Sequence, residues 1–278
     1  MNLQWWCSAQ AVPWDWNWRP YPGVWLFVLC AAGLYFWLTR GVDSGNSGSD
    51  PDAAGGSRRP RRGWAIVGLA VLWLALDWPI GALGGGYLSS VHMLQFLLIA
   101  LLVPALLLLG VPDESWKRLE SAGTMPVFRL LTHPLVALAL FQVVLVWTHL
   151  PAVVDGLMAT QRGSFTIDVL WLLGGLLFWW PVISPVPERT WFGEPLKMGY
   201  LFLATVLNTM PYAFLTFGET PYYGIYELAP PVGRITAGED QQIAGLLMKV
   251  GGGVILWTAI TTLWFRWFNR EEAACPTA

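Results

Sequence analysis

Seven stretches of this chain are apolar enough, and close to long enough, to cross a lipid bilayer as helices. A bilayer core about 30 Å thick needs about 20 apolar residues, because each residue advances a helix by about 1.5 Å. With 55% hydrophobic and 12% charged residues, the chain is too apolar for an ordinary soluble domain. We therefore predict an all-α, polytopic membrane helix bundle of seven transmembrane helices. The predicted spans are 24–38, 64–80, 87–110, 133–150, 167–186, 196–217 and 241–264.

Residues 40–63 separate the first two spans and differ from them in composition. They are rich in Gly, Ser, Asp and Pro, which cannot bury a core. We predict a flexible cytoplasmic loop inside one integral membrane domain that spans residues 1–278. Cys7, Cys30 and Cys275 form no CxxC pair, so neither a disulfide framework nor a zinc knuckle is indicated.

The Lys and Arg residues predict how the bundle is oriented in the membrane. For seven spans, twelve of them fall on one face, three fall on the other, and Lys249 lies inside a span. Basic residues are retained on the cytoplasmic side of a membrane. This ratio predicts that the N-terminus lies outside and the C-terminus lies in the cytoplasm.

This orientation gives each polar residue within a span a depth in the membrane. His92 falls about 8 Å below the outer end of the third span, and His149 falls at the outer end of the fourth. The third histidine, His133, begins the fourth span on the cytoplasmic side. The other candidates at outer depth come from the third, sixth and seventh spans: Met93, Met210, Asp240, Gln241 and Met248.

The candidate residues form a donor set that suits copper. Imidazole and thioether bind copper, and thioether favours the cuprous state. We interpret His92 and His149 as copper ligands, Met210 or Met93 as a soft ligand, and Asp240 as a group that orients or neutralises the site. In the alternative reading, a buried histidine only bonds a neighbouring helix, and methionine only fills gaps in apolar packing.

Lys249 is the second unusual polar residue, because it lies near the middle of its span. Such a lysine must pair, reach the interface or line a wet cavity. Asp168 and Asp240 are its candidate partners, and both a structural ion pair and a transport role stay open. The sequence contains no P-loop, GxSxG or HExxH motif, so we expect no enzymatic activity.

Five sequence motifs occur in an order that resembles the multi-span CtaG family, the caa3-type cytochrome c oxidase assembly factors. The resemblance covers about residues 64–268, which we take as a CtaG-like core. The motifs are SVHMLQFLLIALLVPALLLLG, WTHLP after HPLVALALF, LLFWWPVISPVPE, LKMGYLFLATVLNTMPYAFLTF followed by TPYYGIYE, and EDQQIAGLLMK.

The resemblance implies a multi-pass protein of the bacterial plasma membrane that serves respiratory-chain biogenesis. It would assist cytochrome c oxidase assembly without catalytic turnover, by helping copper reach its centres on the outer side. Its partners would be membrane lipid, oxidase subunits and copper chaperones. The formal net charge of −2 gives no reason to expect nucleic acid as a partner.

The family motifs can be matched to individual residues. The histidine before Met-Leu-Gln is His92, the histidine before Leu-Pro is His149, and the Asp-Gln-Gln stretch begins at Asp240. This sequence departs from the family at Phe96, where many members have a second histidine, and at Tyr212, near which some members have a cysteine.

Three other functions remain compatible with the sequence. Two histidines at one depth would suit the axial ligands of a haem-binding membrane electron carrier. Lys249 would be the pathway residue of a transporter for metal or small solutes. A scaffold that binds oxidase subunits would need no metal ligand at all.

Overall fold

The computed structural model describes residues 4–40, 62–111, 125–184 and 192–274, and within these ranges the chain is helical and contains no β-strand. The prediction of an all-α protein is confirmed for these ranges. In chain order the helices are α1 Pro22–Thr39, α2 Arg62–Leu76, α3 Ile80–Gly86, α4 Ser89–Leu109, α5 Met125–Leu131, α6 Pro134–Thr148, α7 Pro151–Met158, α8 Gln161–Ile183, α9 Glu194–Leu207, α10 Thr209–Phe217, α11 Gly224–Glu227 and α12 Ala237–Ala274.

Five helical segments are long and apolar enough to cross a membrane, namely α1, α4, α8, the joined α9 and α10, and α12. Two further pairs pass the same test only when taken together. The axes of α2 and α3 bend by 47° at their junction, and those of α6 and α7 bend by 73°. The described residues therefore contain five candidate spans, or seven if each bent pair crosses the membrane once.

Several predicted boundaries differ from the structure. Of the predicted loop 40–63, residues 41–61 lie outside the described residues, and Arg62 and Gly63 already belong to α2. The predicted end of the fifth span, at Val186, also lies outside them. That span begins earlier than predicted because the Thr160 hydroxyl accepts the Gly163 N–H at 3.1 Å and caps α8.

Helix α4 occupies the centre of the bundle. Its first half packs on α3 and α12, and its second half packs on α2 and α8. The backbones of α8 and α4 approach each other closely at Gly175. A side chain there would place its Cβ 2.1 Å from the Ala100 carbonyl oxygen, so only glycine fits. At Leu97–Leu102 the helix widens to π-helical turns, and Pro104, which has no N–H to donate, follows directly.

One end of the bundle, which we call the histidine end, collects the starts of α4, α8 and α12 and the end of α6. Residues 4–21 fold over this end. The Ala9 N–H donates to the Met158 carbonyl at 3.0 Å, and the Trp5 N–H donates to the Gln161 side chain at 2.8 Å. Trp6 is 1% exposed, so the first part of this segment belongs to the buried core, whereas residues 15–18 are exposed.

Candidate functional site

His92 lies in the first turn of α4 and is 1% exposed. Its ring packs on the rings of Trp171 and Tyr226, at centroid distances of 4.9 and 5.8 Å. Neither ring nitrogen has a hydrogen-bond partner among the described residues. Most buried polar side-chain atoms are hydrogen-bonded, so an imidazole with two unpartnered nitrogens calls for an explanation.

His149 directly follows α6, is buried, and has a defined tautomer. Its Nδ1 lies 2.7 Å from the Leu145 carbonyl oxygen. A carbonyl can only accept, so Nδ1 carries the proton and Nε2 carries a lone pair. Nε2 is buried and has no partner in the described part of the chain. This is the form in which histidine binds a metal, with the second nitrogen anchored to the protein.

Trp171 of α8 connects the two histidines. Its ring centroid lies 4.9 Å from that of His92 and 6.2 Å from that of His149. Its indole N–H donates to the Thr148 hydroxyl at 2.9 Å, which fixes the ring in place. Phe96 packs edge-on against both His149 and Trp171, at 5.0 and 5.3 Å. We call Phe96, Trp171 and Tyr226 the aromatic cage.

A segment at residues 218–228, here called the tyrosine loop, lies over the two histidines. The Tyr223 hydroxyl donates to the His149 carbonyl at 3.0 Å, and the Tyr226 hydroxyl donates to the Gly84 carbonyl at 2.7 Å. Gly84 is glycine for a steric reason, because a Cβ there would lie 1.8 Å from the Gln95 side-chain oxygen. The loop therefore separates the histidines from the surface at this end of the bundle.

Two side chains from neighbouring helices hold the tyrosine loop. The carboxylate of Asp155 accepts the N–H groups of Gly224 and Ile225, at 3.2 and 3.0 Å. Gln241 accepts the Tyr222 N–H at 2.7 Å and donates its side-chain amide to the Thr220 carbonyl at 3.2 Å. Gln241, a candidate site residue from the sequence, thus acts on the loop that covers the histidines.

Asp240, which the sequence suggested as a group that orients or neutralises the site, caps a helix in this structure. It is buried, and its carboxylate accepts the Ser89 N–H at 2.5 Å and the Ser89 hydroxyl at 2.7 Å. It also accepts the Ser90 N–H at 3.3 Å and the Ser90 hydroxyl. These four donors belong to the first turn of α4, so Asp240 holds the turn that carries His92.

The three candidate methionines occupy different environments. Met93 is completely buried and Met248 is 6% exposed, and both belong to the bundle core. Met210 is 65% exposed, so its side chain faces the outside of the bundle and is not brought to the histidines. Within the described ranges no group of three or more His, Cys, Asp or Glu side chains could hold a metal ion. Of the predicted ligands, the two imidazoles are the ones that present unpartnered atoms beside the aromatic cage.

Lys249 pairs with neither of the carboxylates that the sequence suggested. The Asp168 carboxylate accepts the indole N–H of Trp6 at 2.8 Å, and Asp240 caps α4. Lys249 lies on the exposed side of α12, where its ammonium group donates to the Tyr212 hydroxyl and sits 4.5 Å from the centre of that ring. This position gives no support to a pathway residue inside the bundle.

Two parts of the site were not predicted from the sequence. Trp171 is one of 19 tryptophans and lies in a continuous apolar run, so no local pattern distinguishes it. The tyrosine loop carries a signal, the TPYYGIYE motif, in which aromatic residues stand outside any apolar span. The motif indicates a segment that packs its tyrosines on the bundle, but not which residues they contact.

Comparison with known proteins identifies the family to which the chain is similar. A family model described as cytochrome c oxidase caa3 assembly factor (Caa3_CtaG) matches residues 33–270, which is most of the chain. The matched range contains both buried histidines, the aromatic cage and the tyrosine loop. No curated protein and no solved structure matches the chain.

Proposed function

Because this chain belongs to the family of caa3-type cytochrome c oxidase assembly factors, we propose that it assists copper insertion into the oxidase. It acts in the bacterial plasma membrane and crosses it seven times. The histidine end faces outside and α12 ends in the cytoplasm, an orientation that the Lys and Arg distribution favours. The partners are oxidase subunits and copper chaperones at the outer surface, and lipid around the spans.

The observation that carries this proposal is the set of unpartnered nitrogens on His92 and His149. A buried polar group left without a hydrogen bond costs about 1–3 kcal/mol. A bound ion that accepts lone pairs from both rings offsets this cost, and imidazole is a good ligand for copper. Copper is cargo in this scheme, and no catalytic step is required.

The surrounding residues prepare the two rings for such an ion. The bond from His149 Nδ1 to the Leu145 carbonyl directs the Nε2 lone pair away from the backbone. Asp240 fixes the first turn of α4, which carries His92. Two protein donors hold an ion less firmly than a complete set of four, so the cargo can be transferred once the tyrosine loop opens.

A deletion strain that carries plasmid copies of the gene tests this function. The readouts are oxidase activity and oxidase-bound copper, with and without copper added to the medium. We expect the His92→Ala, His149→Ala double variant to behave like the deletion, and added copper to restore activity. His133→Ala is the matched control, because this histidine precedes α6 and lies at its opposite end. Full activity of the double variant would refute copper delivery, and failure of copper to rescue the deletion would favour a scaffold.

Separate measurements address the other two functions that the sequence allows. A haem carrier must show a Soret band in the absorption spectrum of the pure protein. A transporter that uses Lys249 must lose solute uptake in vesicles when this residue becomes alanine. We expect no Soret band. We also expect unchanged solute uptake, because Lys249 bonds Tyr212 on an exposed helix face.

A further inference from the structure

We infer that the histidine site selects a monovalent d10 ion, Cu⁺, and that the indole face of Trp171 contacts this ion. The inference rests on the proposed function, because it concerns the same two imidazoles. It adds the charge of the cargo and a specificity-determining residue.

The first argument concerns the ligands that the site can supply. The carboxylates around this end of the bundle are bonded to other groups: Asp240 to the start of α4, Asp155 to the tyrosine loop and Asp168 to Trp6. No group of three or more His, Cys, Asp or Glu capable of holding a metal occurs in the part of the chain that the structure describes. Each of these three carboxylates is engaged by another group, so the site offers an ion two neutral imidazole donors.

A pair of neutral donors discriminates between ions by the number and kind of ligands that each ion requires. Zn²⁺ is almost always held by four ligands, and Cu²⁺ prefers a tetragonal set of nitrogen and oxygen ligands. Cu⁺ tolerates low coordination numbers and prefers soft, polarisable surroundings. The site therefore disfavours Zn²⁺ and Cu²⁺, although imidazole alone binds both.

The second argument concerns Trp171. Tryptophan is the best aromatic partner for a cation, which it attracts through its ring face at distances up to about 6 Å. The Trp171 ring contacts both imidazoles, so an ion shared by them lies beside the indole. The hydrogen bond from the indole N–H to Thr148 already fixes the ring, and no reorganisation is needed when the ion binds.

The test is metal titration of the purified full-length protein in detergent. The probes are Ag⁺ as an air-stable monovalent d10 ion, Cu⁺ under anaerobic conditions with ascorbate, and Zn²⁺ as the divalent comparison. The variants are Trp171→Leu, which removes the ring, and Trp171→Phe, which keeps a smaller one. Trp179→Leu is the matched control, because this tryptophan lies on the same helix, is also buried and packs on Phe178.

We expect wild-type protein to bind Ag⁺ at least about 100-fold more tightly than Zn²⁺, a ratio that corresponds to ~2.7 kcal/mol. Trp171→Leu should weaken Ag⁺ and Cu⁺ binding about tenfold, which equals ~1.4 kcal/mol. Zn²⁺ affinity should change less, because Zn²⁺ is bound by N, O and S ligands and is too hard an ion to take the face of an indole as a ligand. Trp171→Phe should lose less, and Trp179→Leu should bind like wild type. A purely structural role of Trp171 would weaken all three ions alike.

Several outcomes overturn the inference. Equal affinity of wild-type protein for Ag⁺ and Zn²⁺ does so, as does unchanged Ag⁺ affinity in both Trp171 variants. If Trp171→Leu fails to fold, the wild-type ratio and Trp171→Phe decide the matter. Ag⁺ binding that survives the loss of both His92 and His149 refutes the proposed function itself, whereas binding that depends on the histidines but not on Trp171 refutes only this inference.

Discussion

The substitution Asp240→Asn removes the charge from the carboxylate that joins the starts of α12 and α4. This carboxylate is 3% exposed and accepts hydrogen bonds from the N–H and hydroxyl groups of Ser89 and Ser90. A hydrogen bond to a charged group contributes about 1.5–3 kcal/mol, and an anion at a helix N-terminus adds about 0.3–2 kcal/mol. Asparagine keeps one acceptor but turns an amide donor toward the serines. We expect the free energy of unfolding to fall by about 2–4 kcal/mol.

The assay is equilibrium unfolding of the detergent-solubilised protein, followed by helical circular dichroism. Glu239→Gln is the matched control, because Glu239 precedes Asp240 but its carboxylate accepts hydrogen bonds from the exposed Thr236, at 2.9 Å, and glutamine keeps the acceptor. Its effect should stay below about 1 kcal/mol. Copper affinity should fall in Asp240→Asn alone, since the displaced turn carries His92. Equal stability of the two variants would refute the assignment of Asp240 as the cap of α4.

Three further predictions follow from single contacts. Phe96→His places a third imidazole beside His149, whose ring lies 5.0 Å away, and copper affinity measured by competition should rise at least about tenfold; an unchanged affinity would contradict the geometry. Asp155→Asn weakens the two hydrogen bonds that fasten the tyrosine loop, so copper uptake followed by stopped flow should accelerate at unchanged stoichiometry. Unchanged uptake rates would show that the loop does not limit the access of copper to the histidines. Burial, with help from neighbouring carboxylates, raises the pKa of the Cys7 thiol well above its usual range. In a variant whose other two cysteines are serine, Cys7 should therefore resist maleimide at pH 8 until the protein is denatured. Rapid labelling of the folded protein would contradict the burial of this thiol.

The helices were predictable because bilayer thickness sets a minimum length for an apolar span. The windows at 87–110 and 196–217 agree closely with Ser89–Leu109 and Glu194–Phe217. The bends were not predictable, because they depend on tertiary contacts. Asp77, at the end of α2, accepts the indole N–H groups of Trp25 and Trp73, at 2.9 and 2.8 Å, and the first of these comes from another helix. The resemblance to the CtaG family, carried by five ordered motifs, is confirmed by the family match.

The site was predictable only in part. Helical rise and span direction were enough to suggest that His92 and His149 lie at the same level, and the structure brings both onto Trp171. Depth does not determine which way a side chain points around its helix, so Met210 shared the predicted level but faces outward. The role of Asp240 depends on the start of another helix, 150 residues away in sequence, and a single sequence contains no information on that contact.

A Cu⁺ titration of four purified proteins tests the central claim most directly: wild type, His133→Ala, His149→Ala, and the His92→Ala, His149→Ala double variant. We predict one tightly bound equivalent for wild type and for His133→Ala, since His133 precedes α6 and His149 follows it. The single His149 variant should bind weakly, and the double variant should retain no tight site. An unchanged stoichiometry and affinity in the double variant would contradict the claim that His92 and His149 hold copper.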